Sequence, residues 1–168
     1  VSLGVDPGDF SLFAFGGAGP LHASALAKEL AVPEVLIPAR PGITNALGCV
    51  VADLRHDFVR TVNTPLTNIE AGTLSKFFLA QASEGRAQIK QEPVDIRKID
   101  VEHSLDMQFV GQTHLLNVPI SSANIRLEDI LASFERVYFD RFRLRLKQIG
   151  VKVVNVRTTV FGRRQKLN

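Results

Sequence analysis

Apolar residues in the first third of the chain come in short continuous runs, and from residue 56 onward they mostly alternate or recur at helical spacing. Ser11 to Phe15 is nearly continuous and stops at Gly16-Gly17, the pattern of a strand buried on both faces. Pro20 suits a first helical turn, and Leu21, Ala25, Leu26 and Leu30 recur with helical spacing. The alanines Ala23, Ala25 and Ala27 would let that helix lie close against a sheet. Pro33 ends it, and Val35-Leu36-Ile37 predicts a second strand closed by Pro38 and Pro41. Leu47, Val50, Val51 and Leu54 then predict an amphipathic helix, with Thr44 or Asn45 as its N-cap.

Past His56 the pattern changes. Phe58, Val59, Thr61, Val62 and Thr64 carry the β-branched and aromatic enrichment of a strand that Pro65 finishes. Thr67 and Glu70 have capping-box spacing ahead of a helix whose face includes Leu74, Phe77, Phe78, Ala82 and Ile89, with Gly85 weakening its middle by about 1 kcal/mol. The clearest period is Ile99, Val101, His103, Leu105, Met107 and Phe109, a strand with one buried face. Gly111 permits a turn into His114, Leu116, Val118 and Ile120, which predicts a hairpin. A long helix through Leu127, Ile130, Phe134, Tyr138 and Phe142 and a strand from Val151 to Phe161 complete the order β-α-β-β-α-β. That order predicts a ferredoxin-like α+β sandwich over residues 56–168, behind an α/β piece over residues 1–55.

Composition makes this a globular chain: 168 residues, 45% hydrophobic and 22% charged, with eleven Phe and no Trp. It begins with Val1 and ends on the basic run Arg163-Arg164-Gln165-Lys166, which together suggest a piece of something longer. No uninterrupted apolar run has the length of a membrane span, and no signal-peptide pattern is present, so the expected location is cytoplasmic. The single cysteine, Cys49, rules out an intrachain disulfide and fits a reducing compartment. A net charge of +3, spread along the chain, gives no support to a nucleic-acid partner.

Several residues could carry chemistry. A strand running into Gly16-Gly17-Ala18-Gly19 and then a helix places backbone N–H groups and a positive helix end at the strand's carboxyl edge, where open α/β sheets bind ligands. The plainer alternative is a tight strand-to-helix turn. His22, in the first helical turn, either contacts that ligand or packs locally. Asp53, His56 and Asp57 are metal-ligand types, but a strand would point His56 and Asp57 in different directions. His103 lies among apolar positions and reads as a core histidine. Asp100, Glu102 and Asp106 share the opposite face, which a solvated surface explains more simply than acid–base chemistry. Arg141, Arg143, Arg145 and Lys147, two apart, scatter around a helix, and Cys49 reads as a buried, inert thiol.

Phe13-Ala14-Phe15-Gly16-Gly17-Ala18-Gly19-Pro20-Leu21-His22-Ala23, Asn45-Ala46-Leu47-Gly48 and Ala52-Asp53-Leu54-Arg55-His56-Asp57 resemble the hydantoinase A/5-oxoprolinase family. So do Ser104-Leu105-Asp106-Met107-Gln108-Phe109-Val110-Gly111-Gln112, Val154-Asn155-Val156-Arg157 and Gly162-Arg163-Arg164. The resemblance covers essentially the whole chain. It implies the C-terminal part of an ATP-dependent cyclic amide hydrolase with an actin-like (ribonuclease H-like) ATPase core, in which Gly16, Gly17, Ala18 and Gly19, with His22 beside them, form the adenosine edge. ATP with Mg would serve the full-length parent, and the piece alone would neither hydrolyse ATP nor bind it tightly, because the phosphate-binding Asp-Gly-Gly-Thr-like segments lie earlier in the family. Catalytic residues and any metal ligands are not identified in this stretch. A second subunit of the hydantoinase B type is the implied partner. Two other readings stay open: a subunit of an ATP-dependent ketone carboxylase, and a non-catalytic module that docks a partner subunit.

Overall fold

The computed structural model describes residues 6–123, 125–146 and 149–165. Val1, Lys147 and Lys166, named above, lie outside them. The chain is mixed α/β and divides into two compact units, residues 1–52 with 166–168, and residues 53–165.

In the first unit, β1 (Ser11–Phe13) and β2 (Glu34–Leu36) pair in parallel and are joined through α1 (Gly19–Glu29). A 3-10 turn at Pro41–Ile43 leads into α2 (Thr44–Val51). Thr44 is the first residue of α2 and not its cap: Ile43 holds the N-cap position, and the Thr44 hydroxyl donates to the Arg40 carbonyl at 3.0 Å. The alanine side of α1 is the buried one, with Ala23 and Ala27 nearly inaccessible, while Leu21, Leu26 and Leu30 stand exposed. Small residues thus make the close approach to the strands, and the leucine stripe faces outward.

The second unit is a four-stranded antiparallel sheet with two helices on one face. Its elements are β3 (Leu54–Pro65), α3 (Ala71–Gln91), β4 (Lys98–Phe109), β5 (Leu116–Ile120), α4 (Leu127–Phe142) and β6 (Val151–Arg163). Leu54, whose spacing suggested a helix, opens β3 instead. The Thr67–Glu70 capping box is not formed: the Thr67 hydroxyl meets Asn68, and Glu70 is itself the N-cap of α3. Arg143 caps α4 in the left-handed region (φ 56°), so it and Arg145 lie beyond the helix, folded back over the Phe139 ring.

The element order is the expected one, but the sheet order, β3-β6-β4-β5, departs from the ferredoxin-like arrangement. There the third strand of the motif fills the gap left by the split β-α-β; here the last strand, β6, fills it. Strand chemistry explains the choice. Pro119 leaves β5 without one N–H, and at five residues β5 suits a sheet edge. β6 alternates Val153, Val156, Thr158 and Val160 into complete burial and pairs along both sides.

Between sheet and helices lies one core, built from Leu74 and Phe78 of α3, Ile130, Phe134 and Tyr138 of α4, and Leu105, Met107, Val118, Val153 and Val156 of the strands. Phe109 meets both Phe134 and Tyr138 edge-on, at centroid distances of 5.0 and 4.8 Å. Gly85 is what lets α3 lie this close. A Cβ there would come within 2.4 Å of Val160 Cγ2 and 2.8 Å of Phe58 Cε2. Gly85→Ala is therefore expected to lower stability by about 1–2 kcal/mol, overpacking outweighing the roughly 1 kcal/mol gain in helix propensity. Urea unfolding measures it; an increase in midpoint would mean the contact is soft.

Candidate functional site

Two places bring chemistry-bearing residues together, one in each unit. In the first, parallel pairing puts the turn after β1 and the turn after β2 at the same sheet edge. The Gly16 amide donates to the Pro41 carbonyl at 2.8 Å, tying those turns together just ahead of α1 and α2. Gly16 has φ 85°, where any other residue would be strained. A Cβ added at Gly17 or Gly19 would meet nothing within 4 Å, and His22 is exposed in the first turn of α1. The bend therefore has two parts. Gly16 is structural, its amide already engaged, and Gly17, Ala18 and Gly19 are the open stretch at a helix N-terminus.

In the second unit, a set of polar residues meets on the sheet face opposite the helices. A register shift runs across the sheet at one level, between Thr61 and Thr64 of β3 and at Asp106/Met107 of β4, opposite Val154. Bulges re-aim side chains. Here Asp106 and its two neighbours are all buried in succession, and Asp106 is only 7% exposed. Its carboxylate accepts from Arg157 Nε at 2.6 Å, Asn155 Nδ2 at 2.8 Å and Asn117 Nδ2 at 3.0 Å. Burial alone would push this carboxyl up, but the three donors together hold it below the ordinary carboxylate range. Asn117 also donates to Ser104 Oγ at 2.9 Å. Along the same face Arg55 grips Asp57 with two nitrogens, and Thr159 adds a third bond; these bonds hold Asp57 below its usual value. An open cavity of about 890 Å³ takes in part of this face, where Arg157, Ser104, Asp106, Asn117, Asp57 and Glu102 line it, and extends to α4, where Asp129, Ile130 and Arg136 line it.

The other predicted residues separate. His56 and Asp57 point to opposite faces, His56 toward Glu92 at 3.7 Å, while Asp53 holds Arg163 at 2.9 Å and the Arg164 amide. Arg163 also reaches Asp100, whose carboxyl is lowered by Lys98 and Arg163. Asp53 and the C-terminal arginines, far apart in sequence, are thus one structural clasp. Cys49 is exposed, contrary to the buried thiol its apolar neighbours suggested.

His103 packs its ring on Phe78 at 4.6 Å and places Nδ1 3.0 Å from the Thr158 hydroxyl. Thr158 gives its one proton to Gln81 Oε1 at 2.8 Å, so Nδ1 of His103 is the donor in its bond with Thr158. Burial, aided by the positive charge of Arg86, lowers the His103 pKa. A depressed folded-state pKa means stability that is full above the unfolded value near 6.5 and is lost as pH falls through the folded one. An NMR titration should place His103 below 6.5, and unfolding midpoints should drop from pH 7.5 to 5.5 less in His103→Gln than in the parent sequence. A titration above 6.5 would contradict the buried neutral ring.

Residues 1–58 match a family model described as hydantoinase/oxoprolinase. Over 99% of its length the chain is 26% identical to caprolactamase subunit alpha of Pseudomonas jessenii, and over 80% it is 26% identical to the acetone carboxylase beta subunit of Xanthobacter autotrophicus. It covers 25% and 21% of those two proteins, so the chain spans a quarter or less of their length. The crystal structure of the ATP-dependent caprolactamase from Pseudomonas jessenii superposes on 96% of the chain, and 24% of its own, with a TM-score of 0.72 at 26% identity. Both relatives are named as subunits of larger enzymes.

Proposed function

The chain belongs to the hydantoinase/oxoprolinase family, and from that premise we propose that it is the C-terminal portion of an ATP-dependent enzyme that opens cyclic amides. In the intact parent, ATP with Mg would supply the phosphoryl group that activates the amide toward water. The first unit is the end of an actin-like ATPase core, and its open bend at Gly17, Ala18 and Gly19, with His22 beside it, is the adenosine edge. The observation that carries this is the 2.8 Å bond from Gly16 to Pro41, which sets the starts of α1 and α2 at one edge of a parallel sheet. Open parallel sheets bind nucleotides there, on partial positive charge and unobstructed backbone. No residue of the bend can move a proton in a hydrolytic step except His22, so the chain's own part is to seat the nucleotide base. The piece alone is not expected to hold ATP tightly, and its place of work is the cytoplasm, alongside a second subunit of the hydantoinase B type.

ADP release by the intact parent with hydantoin, 5-oxoproline or caprolactam as substrate tests the reading. Turnover with a ketone and bicarbonate, and with no cyclic amide, would move the parent to the ATP-dependent carboxylases, which the similarity to an acetone carboxylase subunit keeps as the second reading. ADP release with neither class would remove both.

A further inference from the structure

We infer that the part of this cavity on the outer face of the second unit's sheet binds a zwitterionic amino acid, with its carboxylate on Arg157 and its ammonium group on Glu102. An outward sheet face ordinarily carries loosely ordered, solvated side chains. This one buries a carboxylate, Asp106, beneath a half-exposed arginine. The pair fixes the Arg157 guanidinium, which spends Nε on Asp106 and lines the cavity with its side chain still 42% exposed. Arginine presents a second pair of donors in a fixed fork, suited to a carboxylate. Ser104, in register with Arg157, already accepts from Asn117 and so has its own proton to offer the same ligand oxygen.

The charges favour a zwitterion over a simple anion. Glu102 is exposed, lines the same cavity, and sits diagonally across the β4–β6 pair from Arg157, on the same sheet face. Among the described residues no salt bridge engages it. An anion would meet the charge of Glu102 and a cation that of Arg157, while Arg55 and Asp57 are spent on each other. A molecule bearing both charges satisfies each end. The link to ring opening rests on the proposed function and on a lactam as substrate: water's oxygen bonds to the activated carbonyl carbon, the C–N bond breaks, the phosphoryl group taken from ATP is released as phosphate, and the freed amine takes up a proton, giving one new carboxylate and one ammonium group. The cavity would then be where the opened product is held.

Calorimetric titration of the 168-residue chain tests this without nucleotide or turnover, so its outcome is separable from that of the ATPase reading. The probes are 6-aminohexanoate and glutamate, with hexanoate and hexylamine carrying one charge each. At least one amino acid should bind saturably and about 10-fold or more tighter than either single-charge probe. Glu102→Gln should remove that advantage by weakening the amino acid, while hexanoate binds no more weakly than before. Because Arg157→Gln takes a donor from the buried Asp106 carboxylate, Glu102→Gln is the deciding variant, with circular dichroism confirming its fold. Equal binding of hexanoate and 6-aminohexanoate, an amino acid indifferent to Glu102→Gln, or no heat from either amino acid up to about 50 mM would each overturn the inference.

Discussion

Gly17→Leu in the intact parent is expected to weaken nucleotide binding by about 10-fold or more, close to 1.4 kcal/mol, and to leave unfolding of this chain within about 0.5 kcal/mol of the unsubstituted protein. The two halves of that result come from one observation. A Cβ at Gly17 meets no atom within 4 Å, so nothing in the unit itself demands glycine there, and the residue is not in the left-handed region. If a purine approaches the backbone at that point, a leucine side chain takes its place. Gly16→Leu would be less informative, because φ 85° and the bond to Pro41 make strain and lost function move together. ATP affinity and urea unfolding, measured on the same variant, decide it. Unchanged affinity would leave the bend as a plain strand-to-helix turn.

Asp106→Ala should cost the second unit about 2–4 kcal/mol, one of the largest single losses outside the apolar core. Three donors converge on that carboxylate, from β5 and twice from β6; removal leaves Asn155 and Arg157 without their acceptor and Asn117 with Ser104 alone. Asp106→Asn is the sharper comparison, since it keeps the shape and loses the charge. The sign with pH follows from the direction of the shift. Asp106 is more acidic folded than unfolded, so its contribution is complete above the unfolded value near 4 and fades as pH falls through the folded one. The gap in unfolding midpoint between the unsubstituted chain and Asp106→Asn should therefore narrow in acid. A gap that stays constant from pH 7 to pH 3 would mean that the charge of Asp106 is not what the three donors stabilise.

Periodicity made most elements of the second unit legible, because strict alternation from Ile99 to Phe109 admits only a strand with one buried face. It could not give the sheet order, which depends on which strands tolerate two neighbours; Pro119 in the short β5 and the valine run of β6 were the available hints. Helix starts misled at Thr44 and Thr67, where hydroxyls found other partners. The glycine bend was visible as a motif, but not that Gly16 differs in kind from Gly17. Asp106 was the larger omission. Alternation set it beside Asp100 and Glu102 on a solvated face, and that placement holds; what it could not give is the strand pairing that sets Asp106 opposite Asn155, with Arg157 and Asn117 close enough to donate to it. The available signal was that Ser104–Gln112 and Val154–Arg157 both carried the family resemblance, and two such segments with no assigned role were candidates to meet.

β6 is the last strand of its unit to be synthesised, yet it lies between β3 and β4. Until residue 163 has left the ribosome, β3 has no strand to pair with, β4 has only its hairpin partner, and the inner surfaces of α3 and α4 lack their floor. Such a unit closes in one late event spanning about a hundred residues, the kind of long-range pairing that slows folding. A nascent chain paused before that point would offer chaperones two unpaired strand edges, and an early stop codon in β6 would abolish the unit instead of trimming it.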